Sequence, residues 1–150
     1  MRETYEISDR FIEAGDANHL LYEPLSSGLT FRRTRRYELE CEGDRAAVEA
    51  FVRKTLFDEI SQDLHEGDDP GLSGFTFFLD YGMKPGALDL EKEAILRYYA
   101  GIADPGFTLK SLKIRQRIYL FGGKADESDR FVRDICNAAI HQWNVTQANV

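Results

Sequence analysis

Phe31-Arg-Arg-Thr-Arg-Arg-Tyr-Glu-Leu-Glu leads into Phe51-Val52-Arg53 and then Ile60. About eighty residues further on, Leu112-Lys-Ile-Arg-Gln-Arg-Ile-Tyr-Leu-Phe leads into Phe131-Val132-Arg133 and then Ile140. Arg36 answers Arg117, Tyr37 answers Ile118 and Leu39 answers Leu120, and the step from Phe51 to Ile60 recurs from Phe131 to Ile140. A unit of this length exceeds the modules of solenoid arrays. It is the size of a small α+β subdomain, so the chain reads as two copies of one unit. Residues 1–68 form the first copy, degenerate in its N-terminal part, and residues 69–150 the second; together they are expected to make one compact unit.

Outward from the first stretch, Leu29 to Glu42 is extended, with Tyr37, Leu39 and Cys41 alternating onto one face. Gly43-Asp44 breaks it, and Asp44 is placed to cap a helix carrying Ala47, Val48, Phe51, Val52 and Leu56 as one stripe. Before it, Glu3 to Phe11 alternates weakly, and Asp16 opens a short helix through Tyr22 that Pro24 and Ser26-Ser27-Gly28 end. His65-Glu-Gly-Asp-Asp-Pro-Gly reads as the linker between copies. Around the second stretch, Phe75, Phe77, Leu79 and Tyr81 share one strand face and Phe78 takes the other, so both faces are expected to be covered. Asp89 caps a helix with Ile95, Tyr98, Tyr99 and Ile102. Leu109 to Phe121 is one strand or a bent pair, with Leu112, Ile114, Ile118 and Leu120 together. Gly122-Gly123 turns the chain into a last helix with Phe131, Val132, Ile135 and Ile140, and Trp143-Asn-Val-Thr closes as a strand. The class is α+β: antiparallel sheets with helices on one face.

The 150 residues are enough to bury a core without staples, and a net charge of −7 repels polyanions as a whole-molecule property. No apolar run approaches a membrane span, and the N-terminus lacks the apolar region of a signal peptide. A cytoplasmic, free-standing chain is expected. Cys41 and Cys136 read as small buried hydrophobes.

Residues that could carry chemistry are few. His19, His65 and His141 lie in separate segments without metal-ligand spacing. Gly122-Gly123-Lys124 is followed by Ala125, so the hydroxyl that a phosphate loop needs is missing. No nucleophile elbow occurs. No catalytic residue, metal or cofactor is therefore expected. The densest charge cluster is Arg32, Arg33, Arg35 and Arg36, answered in the second copy by Lys113, Arg115 and Arg117. This cationic strip is the candidate partner interface, with three readings: pairing with the chain's own carboxylates, docking to an acidic partner surface, or binding phosphate or nucleic acid. The acidic whole and the absence of an RNA-recognition strand motif weigh against the third.

Four segments carry a family resemblance: Phe75-Thr-Phe-Phe-Leu-Asp-Tyr, Lys84-Pro-Gly-Ala-Leu-Asp-Leu-Glu-Lys-Glu-Ala-Ile, Ser111-Leu-Lys-Ile-Arg-Gln-Arg-Ile-Tyr-Leu and Ile135-Cys-Asn-Ala-Ala-Ile-His-Gln-Trp-Asn-Val. Together they resemble the PurS family, the small subunit of phosphoribosylformylglycinamidine synthase. The first copy resembles the same unit from Leu29 on, with Phe57-Asp-Glu-Ile-Ser-Gln-Asp-Leu in place of the family's ending. Asn137-Ala138 stands where the family has Asn-Pro, Asp89-Leu90 where it has Asp-Pro, and Arg115-Gln116-Arg117 where it has Arg-x-Gly-Lys. The resemblance implies two tandem ferredoxin-like subdomains. It also implies a non-catalytic part in purine biosynthesis, bridging a glutaminase and an ATP-dependent synthetase. Two other expectations compete: a ferredoxin-like small-molecule sensing module with its ligand between the copies, and an RNA-binding module.

Overall fold

The two matched stretches become the two longest strands, β3 (Thr30–Gly43) and β6 (Phe107–Phe121). The computed structural model describes residues 1–25 and 28–148, so the expected turn at Ser26-Ser27 lies outside the described residues. Before β3 come β1 (Arg2–Asp9), the short β2 (Gly15–Asp16) and a 3-10 turn (Ala17–Leu20). Between the long strands come α1 (Arg45–Thr55), β4 (Gln62–Glu66), β5 (Phe77–Met83) and α2 (Leu90–Ala100). A second 3-10 turn (Ala125–Glu127), α3 (Ser128–Ile135) and β7 (His141–Gln147) follow β6. The fold is α+β, with three helices and a seven-stranded antiparallel sheet bonded in the order β4-β1-β3-β6-β5-β7, and β2 beside β3. That order reads the same from both ends when β1 is matched with β5, β3 with β6 and β4 with β7.

Two compact units form, and they do not follow the sequence halves 1–68 and 69–150. The first comprises Met1–Phe11, Arg35–Gly71 and Leu88–Ile114; the second comprises Ile12–Thr34, Leu72–Ala87 and Arg115–Val150. Strand length is the reason. At roughly 3.3 Å per residue, β3 and β6 each extend about 45 Å, more than one small core can cover. Both strands therefore run through both units, and α2 of the second half belongs to the first unit.

In the first unit, Tyr5, Ile7, Tyr37, Leu39, Cys41, Leu112 and Ile114 face Val48, Phe51 and Val52 of α1 and Ile95 of α2. Phe51 meets Tyr99 and Phe107 edge-on, at 5.9 and 5.5 Å between ring centres. Such pairs add about 0.5–1.5 kcal/mol beyond area burial. Asp44 caps α1 as expected, its carboxylate accepting from the Ala46 amide. The preceding residue must be glycine: Gly43 has φ 116°, and a Cβ there would stand 2.9 Å from the Phe107 Cα. The β6 alternation slips once, because Phe107 and Leu109 join the same core as Leu112 and Ile114 while Lys110 and Ser111 stay exposed.

The second unit buries Leu29, Phe77, Ile118 and Leu120 under Phe131 of α3 and Ala17 and Leu21 around the first 3-10 turn. Phe131 and Phe77 meet at 5.8 Å.

Several expectations change. Leu109 to Phe121 is a single strand within β6. His65 and Glu66 belong to β4 rather than a linker; this edge strand turns only Leu64 into the core, opposite Ile7, so its pattern is too polar to read. Ile140 is not on α3, which ends at Ile135 as Cys136 becomes extended and Asn137 donates its amide to His141 Nδ1. The segment after Asp16 makes only a 3-10 turn, with the Asp16 side chain capping Asn18. Tyr98 leaves the α2 stripe and is half exposed, and Phe75, ahead of the start of β5 at Phe77, packs with Phe78 and Tyr119 rather than on the face of Phe77. Among the described residues, no helix is long and apolar enough to cross a membrane.

Candidate functional site

Alternation splits the cationic strip between sheet faces. Arg33 and Arg35 share the parity of Tyr37 on the helix-bearing face, whereas Arg32 and Arg36 take the other. Lys113, Arg115 and Arg117 take the parity opposite Leu112, Ile114 and Ile118. Arg33 is exposed with its guanidinium 5.4 Å from the Phe31 ring, Lys113 is exposed, and Arg32 and Arg115 are half buried. The strip is therefore not one surface.

Arg36 and Arg117, the matched pair, are both buried, at 5% and 4% exposure, and this removes them from the expected partner interface. In the first unit Arg36 donates to Asp68 Oδ1 at 3.1 Å and stands 3.5 Å from Glu38 Oε1. The segment that follows β4 holds this arrangement in place. Thr4 donates to the same Asp68 oxygen, and the Gly71 amide donates to Glu6, itself buried. In the second unit Arg117 donates to Asp80 Oδ2 at 2.9 Å, and Asp80 is its cross-strand partner on β5. Arg117 also donates to the Tyr119 hydroxyl and lies 4.2 Å over the Phe78 ring, while Phe75, Phe78 and Tyr119 pack at 5.1–5.3 Å from one another. Pairing of this kind is required, because a buried guanidinium without a counter-charge costs several kcal/mol. Asp80 was missed as a site residue. Its signal was a lone carboxylate inside Phe77-Phe-Leu-Asp-Tyr, a run otherwise apolar.

The remaining sequence candidates stay apart. His19 lies 3.8 Å from Asp16, His65 is on β4, and His141 packs against Tyr81. Among the described residues, no group of three His, Cys, Asp or Glu side chains is arranged to hold a metal ion. Gly122 and Gly123 both have positive φ, at 79° and 66°, and make a tight turn into the second 3-10 turn. Cys41 and Cys136 are free thiols, each pushed up to about 11 by burial. Neither is a ready nucleophile at neutral pH.

A cavity of about 480 Å³ opens in the first unit between the end of α1, the start of α2 and β3. Arg35, Tyr37, Lys54, Thr55, Leu56, Glu91, Ala94, Ile95 and Tyr98 line it. Glu91 Oε1 accepts twice, from the Tyr37 hydroxyl at 2.7 Å and from Arg35 at 3.1 Å. Burial, and then the bond to Glu91, raise the Tyr37 phenol above its ordinary value, so it donates at any physiological pH. Of the lining residues, only Arg35 was a sequence candidate. The others could not be found by motif, since they come from three segments distant in sequence.

Comparison with known proteins finds no matching family model, no matching curated protein and no matching solved structure.

Proposed function

We propose that this chain is a non-catalytic structural component of a phosphoribosylformylglycinamidine synthase, made of two tandem ferredoxin-like subdomains of the PurS kind. In that role it bridges a glutaminase and an ATP-dependent synthetase in the cytoplasm. One observation carries the duplication on which the reading rests: residues matched across the copies hold matching environments. Tyr37 and Ile118, Leu39 and Leu120, and Phe51 and Phe131 are all buried in apolar cores. Arg36 and Arg117 are both buried among carboxylates, and Ile60 and Ile140 are both exposed just ahead of edge strands β4 and β7. The PurS resemblance supplies the biochemical role. With Arg36 and Arg117 internal, the exposed Arg33 and Lys113 remain to steer acidic partner surfaces.

Co-expression with separate glutaminase and synthetase subunits tests the reading. A three-part complex should co-purify and make the amidine only when this chain is present. Arg33→Glu with Lys113→Glu should slow its assembly and weaken the salt dependence. Failure to co-purify, or glutamine or ATP turnover by the chain alone, would overturn it.

A further inference from the structure

We propose that the cavity of the first unit is a binding site for a small organic anion with a compact apolar body. It is a site separate from the bridging role, and neither depends on the other. Charge is the first argument. Arg35 and Glu91 neutralise one another, and Tyr37 holds the same carboxylate oxygen, which anchors Glu91 at that end of the cavity. Among the described residues, Lys54 has no carboxylate within ion-pair distance, so the lining carries one surplus positive charge on a chain of net charge −7. The carboxyl end of α1 adds partial negative charge and the first turn of α2 partial positive charge, so the two helix ends offset each other.

An unmet hydrogen bond is the second argument. The Thr55 hydroxyl is buried and has no partner. Closed off in this rotamer, the hydroxyl is uncompensated, and a turn of the side chain toward the cavity would let it bond a ligand oxygen. Beside it, Leu56, Ala94 and Ile95 offer an apolar surface, and the half-exposed Tyr98 ring stands at the cavity edge, 6.4 Å from Phe51. A volume of about 480 Å³ suits a small molecule rather than a peptide or a single water. The anion would lie against Lys54 and Thr55, and its body against Ile95 and Tyr98. Because α1 and β3 come from the first half of the sequence and α2 from the second, the ligand would tie the two halves together inside one unit.

Nuclear magnetic resonance titration of the full chain with three probes tests this: benzoate, acetate and benzylamine. Benzoate should give saturable shifts confined to Lys54–Leu56, Ala94, Ile95 and Tyr98, and should bind at least about tenfold tighter than acetate. Benzylamine should leave those resonances unmoved. Lys54→Glu should weaken benzoate at least about tenfold. Arg53→Glu, which reverses a neighbouring exposed charge outside the lining, should leave the affinity within about twofold. Both variants should keep the wild-type melting temperature to within a few degrees, so that lost binding is not lost folding. Shifts that never saturate, equal affinity for acetate and benzoate, or undiminished binding by Lys54→Glu would each overturn the proposal.

Discussion

Arg36 and Arg117 occupy matched positions in the two aligned stretches, yet their carboxylates arrive by different routes. Arg117 meets Asp80 directly across the β5–β6 ladder, and Asp80 is itself 5% exposed. Arg36 meets Asp68 on the segment after β4, and that carboxylate is 70% exposed. The lesson is that burial of a cation fixes the need for a partner but not its source. A ladder supplies the partner at a set register, whereas a loop supplies it only if the loop stays in place.

The largest effect should come from breaking the ladder pair. Arg117→Ala leaves the buried Asp80 with only the half-buried Arg115, 3.9 Å from its other oxygen, and should cost about 3 kcal/mol in urea unfolding. Replacing both members, as Arg117→Met with Asp80→Leu, should recover most of that loss, because the uncompensated charge is gone. Arg36→Ala should cost less, about 1–3 kcal/mol, since Asp68 can turn to water when released. Equal losses at the two arginines would show that exposure of the carboxylate is not what separates them.

A smaller contrast lies at the helix starts. Asp44 caps α1 with its side chain, whereas Glu127 at the head of α3 makes no such bond. Asp44→Ala should cost about 1 kcal/mol and Glu127→Ala no comparable loss, both read from thermal unfolding. A cap-sized loss at Glu127 would place the start of α3 elsewhere.

The last contrast is silent at neutral pH and appears only in alkali. Burial raises the thiols of Cys41 in the first unit and Cys136 in the second from 9.0 to about 11, and the Tyr5 phenol to about 12. The unfolded chain releases these protons first, so it binds fewer protons than the folded chain between about 9 and 11. Stability is therefore full below that window and falls as pH rises through it. Melting temperature followed against pH should flatten in Cys41→Ala, and less so in Cys136→Ala, whose side chain is partly exposed. An unchanged slope in Cys41→Ala would assign the alkaline loss to other groups.

Several elements were legible because their causes are local. The period-two pattern of Tyr37, Leu39 and Cys41 placed β3, and the caps at Asp44 and Asp89 placed α1 and α2, each within a few residues. β4 was not legible: its one inward apolar residue, Leu64, has meaning only opposite Ile7 on β1. The candidate site was legible in part. The strip was found, but Arg36 and Arg117 face inward, and Lys54, Thr55 and Glu91 carry no motif.

The sequence by itself determined where strands alternate and where helices start, because propensity, capping and period act between near neighbours. Tertiary structure alone decided which carboxylate meets each buried arginine, that α2 joins the first unit, and that a cavity opens between α1 and α2. Those outcomes depend on long strands carrying distant segments into one core, and no local pattern encodes which segments meet there.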